Sequence, residues 1–233
     1  MESNRRDFLK LTGAAALGAL IARPARAADP NAAPPKPGNV LTPDQALEQL
    51  MKGNARYVED VMMRRDFKTD REALVGGQNP FAAILGCADS RVAPEFAFDA
   101  GRGDLFVVRV AGNFATEDGI ASFEYALQFL GTPLMMVLGH QKCGAVDAAI
   151  KAKGGAKLPG HIPVLAAAIT PAVDAAAGMP GDPLDNAIRQ NVLQNVAKLK
   201  GASPIISAFV ADKKVRIVGG VYNLANGRID LVE

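Results

Sequence analysis

An α/β fold with a mostly parallel sheet flanked by helices is what this sequence predicts, on three observations. Short apolar runs at Phe81 to Gly86, Leu105 to Val110, Leu134 to Leu138 and Val215 to Tyr222 alternate with segments of helical periodicity, the pattern of a parallel sheet covered on its faces. Two of these runs lead through a Gly into a metal-competent side chain, Gly86-Cys87 and Gly139-His140, the second with Cys143 three residues on. Parallel sheets bind ligands beyond the carboxyl ends of their strands, so two strand tips can share one site.

Cys87, His140 and Cys143 offer two thiolates and an imidazole, a set that suits zinc; catalytic zinc commonly keeps three protein ligands and one open position. The chain has two Cys and two His in all, and three of these four fall at the two strand ends. Taken singly, a buried Cys is inert packing more often than a ligand. Two cysteines in an exported protein also read as one disulfide, which stands as the competitor to the metal on cysteine counting alone.

Composition bounds the rest. A length of 233 residues, 49% of them hydrophobic and 21% charged, suits one globular domain with a tail. Residues 1–27 carry five Lys/Arg against Glu2 and Asp7, so the formal charge of +2 becomes −1 beyond them. No strongly basic surface remains for nucleic acid.

In chain order, Asn4-Arg5-Arg6-Asp7-Phe8-Leu9-Lys10, the apolar run Leu11 to Ala22 and Pro24-Ala25-Arg26-Ala27 read as a twin-arginine signal peptide cleaved after Ala27. The apolar run is too short to span a bilayer, so a periplasmic protein without a stable membrane anchor is expected. Residues 28–40 are Pro-rich and read as a linker; residues 41–233 form the catalytic domain. Thr42-Pro43-Asp44-Gln45 is a capping box opening a helix from about Pro43 to Val58. Val61 to Gln78 reads as irregular. Thr116 caps a helix over Glu117 to Leu130 with Ile120, Phe123, Leu127 and Leu130 on one face and Gly131 as its stop. A helix is expected from Gly144 to about Lys151, and another from Asp182-Pro183 to about Lys200. Gly154 to Gly181 resists assignment, and Ser203 to Val210 reads as a further strand. Val215 to Tyr222 and Ile229 to Val232 flank a hairpin turn at Asn223 to Gly227.

Cys87-Ala-Asp89-Ser90-Arg91 together with His140-Gln-Lys-Cys143-Gly144 resembles the β-class carbonic anhydrases. Gly53-Asn54-Ala-Arg56-Tyr57, Phe106-Val-Val-Arg109 and Val218-Gly-Gly-Val-Tyr222 support the match, which covers about residues 41–233. The resemblance implies one zinc held by Cys87, His140 and Cys143, and reversible hydration of carbon dioxide to bicarbonate and a proton by zinc-bound hydroxide. It implies that Asp89 accepts a hydrogen bond from that hydroxide or, in a closed state, becomes the fourth ligand, and that Arg91 holds it off the metal. It places Gln78 as a substrate-binding amide, Phe106 and Tyr125 in the pocket of a neighbouring subunit, and Gly144 where backbone approaches the metal. A homodimer or homotetramer follows from that pocket. Ile84 replaces the Trp that some bacterial members combine with an Arg and a Tyr (here Arg109 and Tyr125) to bind inhibitory bicarbonate, so no bicarbonate switch is expected.

Zinc with two thiolates and a neutral imidazole is formally neutral, which predicts activity rising into mildly alkaline pH. His161, in Pro159-Gly160-His161-Ile162-Pro163, is a candidate proton shuttle or a solvated loop residue. The rival functions are a hydrolase of the same fold acting on CS2 or COS, and a noncatalytic protein with a structural zinc closed by Asp89.

Overall fold

A computed structural model describes residues 34–232 of the chain. The expected signal peptide, its expected cleavage point and the first part of the Pro-rich stretch lie outside the described residues. Helix α1 (Pro43–Val58) opens as its sequence requires: the Thr42 side chain accepts from the Gln45 amide and the Gln45 side chain accepts from the Thr42 amide. There follow α2 (Phe67–Ala73), β1 (Ala82–Gly86), α3 (Pro94–Ala97), β2 (Leu105–Arg109), α4 (Glu117–Leu130), β3 (Leu134–His140), α5 (Gly144–Lys153), α6 (Ile162–Ala175), α7 (Pro183–Lys200), α8 (Ile205–Ala211), β4 (Arg216–Tyr222) and β5 (Ile229–Val232).

The five strands make one sheet in the order β2-β1-β3-β4-β5, with β5 antiparallel to β4 and the other pairs parallel. Along β3 the side chains alternate between two cores, as a period of two demands. Met136 and Leu138 pack with Ile84 of β1 and with Leu47 and Leu50 of α1, while Met135 and Val137 pack with Leu85 and with α4, α7 and α8. Both central strands are therefore buried along their whole length, which is why they read as continuous apolar runs.

The Gly53-to-Tyr57 segment fastens α1 to the sheet. A Cβ on Gly53 would sit 1.9 Å from Phe98 O, so only Gly admits this approach. Asn54, buried, donates to Ala97 O and Gly227 O and accepts from the Ile229 amide. Within the Pro-rich stretch, Lys36 and Asn79 exchange backbone-to-side-chain hydrogen bonds, and Asn39 donates to the buried Asp104, so residues 36–39 lie against the domain.

Three segments differ from expectation. Val61 to Gln78 contains α2, capped by Asp66, a helix too short and too exposed to leave an apolar period. The unassigned interval contains α6, whose buried Ala166, Ile169, Ala172 and Val173 keep helical spacing. Its interior Pro171 removes one backbone bond opposite Ala167, which is exposed to water. Ser203 to Val210 forms α8 and not a strand: Ile206 is buried, with Phe209 and Val210 partly buried beside it, a helical face that a seven-residue apolar run does not distinguish from a strand.

Asp99 gives a stability test. Its carboxylate is almost fully buried and takes hydrogen bonds from Arg56 (2.5 Å), the Met63 amide (3.2 Å) and Arg65 (3.0 Å). Burial pushes the carboxyl up, but the Arg56, Met63 and Arg65 interactions outweigh it and hold it below the usual carboxylate range. A depressed folded-state pKa contributes stability in full above the unfolded value of about 3.9 and loses it as pH falls through the folded value. Asp99→Asn is expected to cost about 1.5–3 kcal/mol near neutral pH, seen as a lower urea midpoint. The gap from the unsubstituted protein should narrow from about pH 5 to about pH 2; a gap independent of pH would refute this assignment.

Candidate metal centre

The sheet register brings the ligands together. Gly86 of β1 lies beside Leu138 of β3, so Cys87, just past the end of β1, emerges where β3 ends in His140. Cys143 follows two residues of turn, Lys142 having φ +52°, and stands at the N-cap of α5. The Sγ atoms of Cys87 and Cys143 and a ring nitrogen of His140 all lie within 4.8 Å of one another, and all three residues are buried. Both cysteines are free thiols.

The residues present fit a zinc ion. His140 Nδ1 lies 2.9 Å from Gln141 O; a carbonyl only accepts, so Nδ1 carries the proton and Nε2 presents its lone pair. Nε2 is buried and has no hydrogen-bond partner. An unpaired buried acceptor beside two thiols is costly unless a cation takes it.

Hydrogen bonding from Cys143 pulls the Cys87 thiol down to about 4; burial opposes this, and the Gly112 and Asp89 amides assist. The Cys143 thiol is pushed up by sharing with Cys87 and by burial. The His140 imidazole is pulled down by burial but raised overall by Cys87, Gln141 O and the nearby Asp89 charge. Two cysteine sulfurs, an imidazole and a carboxylate around one point make a cation-seeking set.

Asp89 stands at the open side of this cluster. Arg91 grips it at three points: Nε to Oδ1 (2.9 Å), Nη2 to Oδ2 (2.7 Å) and the backbone amide to Oδ1 (2.9 Å). That fork holds the carboxyl down at about 2, against a smaller opposing effect of burial. Asp89 Oδ2 remains 3.8 Å from His140 Nε2, close to the cluster yet committed to the guanidinium.

Other expected residues fall elsewhere. Gln78 precedes β1 whereas Cys87 follows it, so the two lie at opposite ends of a five-residue strand of about 17 Å. Phe106 is on β2, the edge strand, and Tyr125 is on α4, 49% exposed and 5.2 Å from the ring of Phe129. Gly144 is the first residue of α5; nothing lies within 4 Å of a Cβ built on it, so no packing demands Gly there. Ile84 is fully buried in the core. His161, exposed, is the N-cap residue of α6, separated in the chain from Cys143 by the ten-residue α5, about 15 Å long, and by the loop that follows it. A cavity of about 600 Å³ lined by Met62, Phe67, Phe96 and Leu105 opens at the amino end of β2, away from the metal residues.

Sequence reasoning missed the residues that hold the ligand loops. Arg109, at the end of β2, donates to Cys87 O (2.9 Å), Asp89 O (2.8 Å) and Val92 O (2.9 Å), pinning the whole Cys87-to-Val92 turn. The Gly112 amide donates to Cys87 Sγ at 3.2 Å. Asn191 and Asn195 of α7 hold the loop that carries Gly112. Their signal in the sequence was two polar residues four apart beside the apolar face of Ile188, Val192 and Val196.

Fold and site define an α/β protein whose Cys87, His140 and Cys143 could together hold a metal, with the Asp89 carboxylate beside them. A family model described as carbonic anhydrase matches residues 82–229. Carbonic anhydrase 2 of Mycobacterium tuberculosis is 39% identical over 188 residues, 80% of this chain and 91% of that one. A carbonic anhydrase of Mycolicibacterium smegmatis is 38% identical over 191 residues, 81% and 93% of the two chains. The solved structure of the β-carbonic anhydrase CcaA, 26% identical, superposes with a TM-score of 0.63 over 81% of this chain and 98% of that one. The chain belongs to the β-class carbonic anhydrase family. It is a zinc enzyme whose reaction is the reversible hydration of carbon dioxide to bicarbonate and a proton.

Proposed function

We propose that the chain is an exported carbonic anhydrase in which Cys87, His140 and Cys143 hold zinc, and Asp89, gripped by Arg91, orients the reacting water. The observation that carries this reading is the three-point Arg91–Asp89 pair standing 3.8 Å from the unpartnered His140 Nε2. Zinc, when bound, supplies the Lewis acid that makes water a nucleophile near neutral pH.

The protein's own groups do the rest. Gln141 O fixes the His140 tautomer, and the Gly112 amide tempers the charge on Cys87. Asp89 can only accept, so it binds a proton of the water and turns an oxygen lone pair toward the carbon of carbon dioxide. Arg91 keeps that carboxylate from becoming a ligand itself, which also argues against a purely structural zinc. His140 and Cys143 are sealed from solvent while the Arg91 side chain is half exposed, so substrate enters and the proton leaves on the Asp89 side.

A homodimer or homotetramer completes the pocket on this reading. Gln78 sits at the wrong end of β1 to serve its own chain's zinc, and Phe106, Tyr125 and the 72% exposed Phe129 lie on an open edge strand and an outer helix face. Export rests on the paired arginines, the apolar run and the Ala25-Arg26-Ala27 site. Among the described residues no helix is long and apolar enough to cross a membrane.

The deciding experiment is stopped-flow carbon dioxide hydration by the mature chain with its zinc content measured, beside Asp89→Ala. Rapid turnover with one zinc per chain, reduced about 100-fold or more in Asp89→Ala with zinc retained, is expected. Full activity in Asp89→Ala would overturn the role given to the carboxylate. On the same material, a mass corresponding to a start at Met1 would refute cleavage, and a monomer in solution would refute the shared pocket.

A further inference from the structure

The loop from Val110 to Ala115 joins β2 to α4 through two successive residues of positive φ. Gly112 has φ +89° and Asn113 has φ +42°, both in the left-handed region, and a Cβ on Gly112 would meet Ile169 Cδ1 at 2.5 Å. Gly and Asn are the residues that enter this region most readily, so the sequence permits the turn and its hydrogen bonds fix how it is oriented. The Asn113 amide closes the turn on Val110 O at 2.9 Å, and one row of polar side chains on α7 anchors the turn to the helix. Asn191 Nδ2 donates to Gly112 O at 2.8 Å. Asn195 Oδ1 accepts from the Ala115 amide at 2.7 Å, and Lys198 Nζ donates to Ala115 O at 2.7 Å.

Asn191 and Asn195 are 1% and 6% exposed, on a helix face that otherwise buries Ile188, Val192 and Leu199. Burying two carboxamides there is unfavourable unless each is bonded, and each is: Asn195 Nδ2 donates to Asn191 O (2.8 Å) and Oδ1 (3.1 Å). The residue that Asn191 clamps, Gly112, is the one whose amide points at Cys87 Sγ, 3.2 Å away.

We propose that Asn191 is a positioning residue for the metal centre: by fixing Gly112 O it aims the Gly112 amide at Cys87 Sγ and so sets how much charge that sulfur gives the bound metal. The proposal rests on Cys87 being a zinc ligand. An N–H bond to a metal-bound sulfur withdraws electron density from it; without the bond the sulfur becomes a stronger donor and its charge-transfer absorption to the metal moves to lower energy.

The test replaces zinc by cobalt(II) in the full chain and records the sulfur-to-cobalt charge-transfer bands in the unsubstituted protein, Asn191→Leu and Val196→Ala. Asn191→Leu keeps the branching at Cγ and removes the donor, and Asn195 Nδ2 keeps its bond to the backbone oxygen of residue 191. Val196→Ala loosens α7 packing without touching the loop. A shift to longer wavelength in Asn191→Leu alone supports the proposal. If Asn191→Leu does not fold, Asn191→Ser, whose hydroxyl falls short of Gly112 O, is judged by the same readings.

An unshifted band in the Asn191 variant, or an equal shift in Val196→Ala, overturns the positioning role. Absence of any thiolate-to-cobalt band in the unsubstituted protein would instead overturn the ligand set on which the proposal rests.

Discussion

Cys143→Ser is expected to lose zinc and carbon dioxide hydration together. Cys143 is 1% exposed and stands at the N-cap of α5, with its sulfur close to those of Cys87 and His140 Nε2. A serine hydroxyl at that place does not ionise near neutral pH and is a poor match for a borderline-soft cation. Partners outside the ligand set of a metal cost about 10–100-fold when removed, so loss of a ligand should exceed roughly 100-fold in turnover. Zinc per chain after dialysis and the initial rate of hydration are the measurements. One zinc per chain with an undiminished rate would remove Cys143 from the ligand set.

Arg91→Leu is expected to do something different: keep zinc and lose turnover. Arg91 is the group that holds Asp89 by three hydrogen bonds, with the carboxylate 3.8 Å from His140 Nε2. Freed of the guanidinium, the carboxylate is drawn toward the cation that the cluster holds, and the place for water closes. A loss of roughly 100-fold in kcat is expected, the size seen when one preorganised group is removed from a site of charge development. Because Arg91 acts through Asp89, the double variant Asp89→Ala, Arg91→Leu should be no worse than Asp89→Ala alone. Losses that multiply would show that Arg91 has an independent task.

The two variants separate binding the metal from keeping it open. That separation was readable from the chain because all five residues involved lie in two short motifs, Cys87-x-Asp89-x-Arg91 and His140-x-x-Cys143. An arginine two residues from an aspartate in a tight turn reaches it without help from the rest of the fold. The strands that deliver the motifs were legible for a related reason. A strand buried on both faces is apolar at every position, and β1 and β3 are buried throughout. Helix α1 announced itself through its capping box, and α4 through Thr116 and Gly131.

Elements whose local signals conflict were not legible. The prolines at 163 and 171 mask α6, although the first only starts the helix and the second leaves a carbonyl beside exposed Ala167. In α8 the apolar residues are too few to show a period, and packing against α4 and α7 decides the matter. Gln78 looks adjacent to the site in sequence, nine residues before Cys87, yet an extended strand between them carries it to the opposite end.

The sequence by itself determined the ligand types, their spacing at strand ends, the Asp89–Arg91 pair and the helices with clear caps, because each depends on residues within a few positions of one another. Tertiary structure alone decided what surrounds the metal residues. Arg109 reaches back over the Cys87-to-Val92 turn because Arg109 pairs with Gly86 in the sheet. Asn191 meets Gly112 across 79 residues because α7 packs against β3 and β4. No local pattern encodes such meetings: they follow from strand order and helix packing, which fix which distant groups share a hydrogen bond only when the whole chain has folded.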